Sequence, residues 1–398
     1  MSLISKQVPV IRSDAEALSV ARELAAHFKR ESAVRDRERR LPFDELELFS
    51  HTGLWGITVP KALGGAGVSN VTLAQVVALI AAADASLGQI PQNHFYALEV
   101  LRVNGTPAQQ ARLYAEVLAG QRFGNALAEI GTKTAHDRTT HLAKAEDGYR
   151  ITGRKFYATG ALYAQRIPTS VVDDNGVQHL AFVPRDSDGL TVIDDWSGFG
   201  QRTTGSGSVL FDNVFVATED VIPFQSAFER PTPVGPLAQI LHAAIDTGIA
   251  RAAFEDALHF VSTKTRPWID ATTDIASEDP LTLKSFGRLS VRLHAAEALL
   301  ERAGELLDIA QANTHAGTVA AASIAVAEAR AISTEISLAA GSTLFELAGS
   351  QATLAEHGLD RHWRNARVHT LHDPVRWKYH AVGNYYLNDV NPPLRGTI

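Results

Sequence analysis

The chain of 398 residues contains no cysteine. That absence removes disulfides, thiolate-held metals and a cysteine nucleophile in one step, and it fits a reducing compartment. Long apolar runs are missing too: none approaches the roughly 20 residues that span a bilayer. Residues 1–12 carry no apolar core of a secretory signal, so a cytoplasmic protein is expected. Positive charge is not in excess. With 37 Lys and Arg against 44 Asp and Glu, the net charge is -7, which speaks against a nucleic-acid face and a polybasic membrane anchor. There is no fixed-period repeat. No Gly-x-Gly-x-x-Gly follows a strand, and strands do not alternate with helices, so a Rossmann nicotinamide site is not expected. The glycines of Gly64-Gly65-Ala66-Gly67 have no preceding strand and no following Gly-Lys-Ser/Thr, and read as a flexible loop rather than a phosphate cradle.

What is present falls into three zones: residues 1–120, 121–230 and 231–398. The first is helical. Ser13 and Glu16 make a capping pattern before a helical repeat of Leu18, Ala21, Leu24, Ala25 and Phe28. The charged run 29–40 reads as a solvated helix face or turn. Pro42 opens a short helix, further helices are expected at 72–83 and 94–103, and Thr106-Pro107 caps another that ends by Gly120. The middle zone shifts to strand alternation at 149–157. Asp173-Asp174-Asn175-Gly176 joins two apolar runs as a hairpin, and 209–216 is a strand with an internal turn. After Pro231, Pro233 and Pro236 come long alanine- and leucine-rich helices, expected at 237–262, 281–312, 319–348 and 359–387. Four helices of that length suggest an antiparallel bundle. The fold class is α+β: an N-terminal helical domain, a small central β-sandwich or barrel, and a C-terminal four-helix bundle.

That order, with three local motifs, resembles the acyl-CoA dehydrogenase superfamily over nearly the whole chain. Asn125-Ala126-Leu127-Ala128-Glu129 is similar to the family's first flavin-contacting motif. Gly153-Arg154-Lys155-Phe156-Tyr157-Ala158-Thr159-Gly160 is similar to the second, and Arg364-Asn365-Ala366-Arg367-Val368 to the arginine-rich stretch of its last helix. The loop from Trp196 to Ser208 and the run His369-Thr370-Leu371-His372-Asp373-Pro374 resemble a monooxygenase branch that includes dibenzothiophene monooxygenase. Gln92-Asn93-His94-Phe95-Tyr96 and 372–380 resemble the sulfur-acquisition oxidoreductases of the SfnB type. Asp373 stands where many acyl-CoA dehydrogenases carry a catalytic glutamate. It is one carbon shorter, and misplacement by about 1 Å costs on the order of 100-fold in rate.

The resemblance implies a monooxygenase that uses reduced FMN, supplied by a separate reductase, with oxygen and a small organosulfur substrate, by way of a flavin hydroperoxide. His94 and His372 fall at the positions whose histidines face the flavin, and histidine's ordinary pKa near 6.5 suits proton exchange at neutrality. Asn125 and Thr159 fall near the reacting face. Leu127, Trp196 and Ser206 join them as flavin contacts. Arg266, Trp268 and Gln351 fall where relatives reach a neighbouring subunit's flavin, which implies a homotetramer. Taken without the resemblance, His94 is a packing histidine at a helix start, Thr159 a strand-end residue and Ser206 part of an ordinary glycine-rich loop. His369 and His372, three apart on a helix face, are too few ligands for a metal, so none is expected. Two other readings compete: an FAD-dependent acyl-CoA dehydrogenase that desaturates an acyl thioester, and a non-catalytic subunit that binds flavin or acyl ligands.

Overall fold

The computed structural model describes residues 8–134 and 137–398. Its first helices are α1 (Asp14–Lys29), α2 (Ser32–Glu38), α3 (Phe43–Ser50), α4 (Asn70–Ala83), α5 (Ala85–Asn104) and α6 (Pro107–Leu118). Ser13 caps α1 by accepting from the Glu16 N–H at 3.2 Å, and the Glu16 carboxylate takes the Arg12 N–H at 2.8 Å. Thr106 and Gln109 form a reciprocal capping box on α6, with Pro107 in its first turn.

The charged run 29–40 is solvated at Lys29, Arg30, Glu31, Arg37, Glu38 and Arg40, as expected, but not at Arg35 and Asp36. Arg35 is 2% exposed and pairs with Asp84 and Glu45, both at 2.9 Å, while Asp36 pairs with Arg364. These charges are buried because each has a partner from another element, which periodicity within one segment cannot reveal. Asp84 also caps α5, accepting from the N–H groups of Ser86 and Leu87 at 3.0 and 3.1 Å. With that cap, α5 runs from Ala85 straight through Pro91. His94 therefore lies in mid-helix rather than at a helix start.

Seven strands follow: β1 (His141–Ala145), β2 (Gly148–Lys155), β3 (Arg166–Val172), β4 (Gln178–Pro184), β5 (Leu190–Ile193), β6 (Ser208–Ala217) and β7 (Val221–Pro223). They form one sheet in the order β5-β6-β2-β1-β3-β4-β7. Its pairings are antiparallel except β1 with β3. The β3–β4 hairpin turns where Asp173 Oδ1 accepts from the N–H groups of Asn175 and Val177, both at 2.9 Å, with Gly176 at φ +75°. The turn expected inside 209–216 is instead a kink: β6 stays one strand, with Asn213 at φ 52° opposite a register shift in β2. The segment carrying Asn125 runs beside β3 through parallel bridges of Phe123 with Arg166 and Ala126 with Thr169.

The last third contains α7 (Val234–Thr263), α8 (Pro280–Ala312), α9 (Ala316–Ala348), α10 (Asp360–His369) and α11 (Arg376–Asn388). The fourth long helix expected at 359–387 is thus two helices with a break at 370–375. Pro374 offers no N–H and disfavours helical geometry at Asp373. The His372 ring supplies a substitute donor for the end of α10, with its Nδ1 2.6 Å from the His369 carbonyl. The main core joins α4, α5 and α7 to the sheet through Phe123 and Phe182.

Candidate active site

Two groups of residues meet where the sheet, α5, α7 and α10 come together. The first is built on the sheet. Asn125 donates from Nδ2 to the Tyr157 carbonyl at 3.1 Å and accepts the Leu127 N–H at 3.0 Å, so one side chain fixes both strand-end motifs. Tyr157 sits at φ 56° and leaves its side chain half exposed; such a backbone is uncommon for a bulky residue and concentrates at functional sites. Thr159 and Ser206 share a hydroxyl–hydroxyl bond of 2.7 Å, and Thr204 reaches Ser206 at 2.6 Å. Trp196 donates from its indole to the Gln201 carbonyl at 2.9 Å, and Asn365 on α10 accepts the Gln201 N–H at 2.7 Å.

Gly200 explains how that loop docks. A Cβ there would stand 2.0 Å from the Arg364 carbonyl, so only glycine lets the backbone lie on α10. Arg364 locks the contact by donating to the Phe199 carbonyl at 2.9 Å and pairing with Asp36. This arginine of the family-like stretch is a strut between three segments. Ser206 does not sit in an open glycine-rich loop. It is buried, and its neighbours Gly205 and Gly207 are tucked against Leu162, Asp195 and Ile193, so those glycines allow packing rather than opening a concavity.

The second group lies around the end of α10. His242 Nδ1 is 3.2 Å from His369 Nε2, and His369 Nδ1 is 2.5 Å from the Asp246 carboxylate. Arg330 on α9 pairs with the same carboxylate. The His372 ring lies 4.6 Å from that of His242, and its Nε2 is 3.1 Å from the Gln89 amide. Burial alone would raise the Asp246 carboxyl, but the Arg330 and His369 charges outweigh it and hold it below the usual range. Loss of hydration, aided by the neighbouring cations, holds His242 well below the ordinary histidine range, and lost hydration and His369 act the same way on His372. His372 keeps part of its surface exposed.

Asp373 does not join this group as a free base. It forms an ion pair with Lys378 at 2.8 Å, and the charges of Arg330 and Lys378 outweigh its burial and lower its pKa. Lys378 in turn donates to Gln239 and to the Thr397 carbonyl, at 3.1 and 2.7 Å, which ties the chain's last turn to α7.

A cavity of about 340 Å³ has a lining that includes Gln92, Asn93, Tyr96, Leu127, Phe224 and His242. Of the residues expected at the site, Leu127 lines this cavity; Asn125, Thr159, Trp196 and Ser206 lie on the sheet side with the contacts given above, and His372 lies beside His242. His94 stands apart from the chemistry. It is 0% exposed, its Nε2 lies 2.9 Å from the Trp55 carbonyl, and its Nδ1 accepts the Phe123 N–H at 3.0 Å. Both nitrogens are committed to backbone, and lost hydration lowers its pKa to about 4. In this arrangement His94 is neutral and joins α5, the Trp55 turn and the sheet.

Arg266, Trp268 and Gln351 are all exposed, at the far ends of α7 and α9, where Thr265 meets the Ala348 carbonyl at 3.4 Å. Within one chain they are not part of the cavity. His242, Asp246, Arg330 and Gln89 were missed by sequence reasoning. A signal existed: His242 and Asp246 sit four apart, and so on one helix face, in an otherwise apolar stretch of α7.

The residues present suit a flavin. The side-chain oxygen and nitrogen of Gln201, beside the Thr159–Ser206 pair, are buried without partners, as is Arg367 Nε on α10. Unmatched donors and acceptors of this kind call for a polar ring edge, and Tyr157 and Trp196 offer aromatic surface beside them.

Comparison with known proteins agrees with this arrangement. Residues 14–121 match the acyl-CoA dehydrogenase N-terminal domain family and 240–377 the C-terminal domain family. The chain is 33% identical to the "Probable FMNH2-dependent monooxygenase SfnC" of Pseudomonas putida, over 96% of this chain and 98% of that protein. It is 33% identical to dibenzothiophene monooxygenase of Mycolicibacterium goodii, over 95% of each. The FMN-bound structure of TdsC from Paenibacillus sp. A11-2 superposes with a TM-score of 0.91 at 32% identity, covering 96% of this chain and 100% of that one. The chain belongs to the acyl-CoA dehydrogenase family, within the group that contains SfnC and the dibenzothiophene monooxygenases.

Proposed function

We propose that this protein is a reduced-FMN-dependent monooxygenase that places one oxygen atom of O2 on a small organosulfur compound. The observation that carries the reading is Asp373: the carboxylate at the position of the desaturase base is locked to Lys378, while His242 lines the cavity with His372 beside it. The FMNH2-dependent and dibenzothiophene-oxidising relatives support it.

Asn125, Leu127, Thr159, Trp196 and Ser206 would hold the flavin from within the chain. When bound, the reduced flavin supplies the two electrons that, with O2, deliver one oxygen atom to the substrate and the other to water. Thr159 and Asn125 orient the reacting groups by hydrogen bonds that need no titration. His372, neutral and fixed through Nδ1 to the His369 carbonyl, holds its Nε2 lone pair against the Gln89 amide at 3.1 Å and exchanges a proton there when that contact is displaced. Tyr96, Leu127 and Phe224 exclude water from the cavity. Its volume of about 340 Å³ is at the small end for ligand pockets and suits a small substrate.

Arg266, Trp268 and Gln351 complete the flavin site from a neighbouring copy in a homotetramer. The exposure of Trp268, Ile269 and Leu281, at 75, 88 and 72%, supports such packing. A separate reductase supplies the flavin, and the cysteine-free chain works in the cytoplasm; among the described residues no helix is long and apolar enough to cross a membrane.

The test combines the protein with FMN, NADH, a flavin reductase and a panel of sulfides, sulfones and sulfinates. Oxygenated product that requires this protein supports the reading. Absence of product, with anaerobic bleaching of bound FAD by acyl thioesters, contradicts it.

A further inference from the structure

Arg330, Asp246, His369 and His242 form a chain of side chains that ends at the cavity wall. Arg330 is 1% exposed and Asp246 0%, so their pair lies in the interior between α7 and α9. From Asp246 the contacts run outward through His369 Nδ1 at 2.5 Å, and from His369 Nε2 to His242 Nδ1 at 3.2 Å. His242 lines the cavity. The order fixes the tautomers. An ionised Asp246 accepts from His369 Nδ1–H, so His369 Nε2 carries a lone pair, and His242 must donate to it from Nδ1. The remaining nitrogen of His242 is Nε2.

We infer that Asp246, His369 and His242 are a proton relay, with His242 as the group that takes a proton from the cavity and returns it. The inference rests on the monooxygenase reading and extends it to residues outside the flavin contacts. When His242 Nε2 gains a proton, its Nδ1 proton passes to His369 Nε2. The added charge then rests on His369 beside the Asp246 carboxylate, two rings away from the cavity. Reversal returns the proton, and no electron or heavy atom moves. Asp246 and His369 are positioning residues in this scheme, and Arg330 keeps Asp246 ionised. His372 and Asp373, in the break after α10, and Lys378 on α11 lie beside the relay, while Arg138 and Glu229 line the same cavity as His242. The three histidines offer ring nitrogens within 4.8 Å of one another, so a metal is the competing occupant. The ordered contacts from Asp246 through the two rings, at 2.5 and 3.2 Å, favour a proton.

The decisive readout needs neither flavin nor substrate. Flavin-free protein carrying 15N-histidine is expected to show a nitrogen–nitrogen scalar coupling across the hydrogen bond between His242 and His369. Asp246→Asn removes it by releasing the His369 tautomer. If that variant does not fold, the wild-type coupling alone decides the point, and His369→Gln, which leaves the Asp246–Arg330 pair in place, is read in turnover. In turnover, His242→Gln lowers kcat by about 100-fold, the lower range for general acid–base groups, with KM and FMN affinity unchanged. Absence of the coupling in the wild type, or normal kcat in both His242→Gln and His369→Gln, overturns the relay. So does binding of one Zn2+ per chain, added alone, with loss of the shared proton. A missing coupling counts against the relay alone, whereas failure to oxygenate any sulfur compound counts against the monooxygenase reading.

Discussion

His94 on α5 and His242 on α7 are both buried histidines in apolar helices, and they serve opposite ends. His94 gives both ring nitrogens to backbone groups, at 2.9 and 3.0 Å. It has no titratable neighbour among its hydrogen-bond partners and no route to the cavity. His242 gives one nitrogen to another imidazole that ends on a carboxylate–guanidinium pair, and it touches the cavity. Burial and residue type do not separate them. What separates them is where the second nitrogen leads: into backbone, where a proton is trapped, or into a chain along which it can move.

Breaking the charged anchor should have the largest effect. Arg330→Met leaves the buried Asp246 carboxyl without its cation and held by His369 alone, a loss of about 3–5 kcal/mol, read from the midpoint of chemical denaturation at neutral pH. The next effect belongs to His94. Its pKa of about 4 in the folded protein lies below the 6.5 of an unfolded histidine, so the unfolded chain binds the extra proton. Its contribution is present above about pH 6.5 and is lost as pH falls toward 4, by roughly 3 kcal/mol. Gln at position 94 can both donate and accept, so His94→Gln should flatten that portion of the pH–stability curve and leave oxygenation nearly intact. His372→Ala should do the reverse: about 100-fold slower oxygenation with stability and reduced-flavin binding kept, measured by product formation and fluorescence titration. The smallest effect is expected at the far ends of α7 and α9, where Arg266→Ala weakens FMN binding about tenfold by removing one charge-assisted contact. An unaltered dissociation constant there would remove Arg266 from the neighbouring flavin site.

The sequence announced its local structure well and its long-range partnerships poorly, and the same physics explains both. Ser13, Thr106-Pro107 and Asp173–Gly176 are legible because a cap or turn satisfies backbone groups two or three residues away. The motifs around Asn125 and Thr159 were legible too, and the Asn125 side chain ties them together at the Tyr157 carbonyl. By contrast, Arg35 and Asp36 looked solvated because their partners, Asp84 and Arg364, lie 49 and 328 residues away. The break at 370–375 hid behind helical composition on both sides, although Pro374 marked it. His369 was weighed only with His372, because nothing local brings His242, 127 residues earlier, to the same point.

Isotope tracing tests the central claim most directly. The protein is supplied with FMN, a flavin reductase and a small organosulfur compound under 18O2, and the product is weighed by mass spectrometry. The account predicts a product heavier by one 18O atom, dependent on reduced FMN and lost in His372→Ala. Product oxygen drawn from water, or turnover that proceeds without O2 by reduction of bound FAD with an acyl thioester, would contradict it.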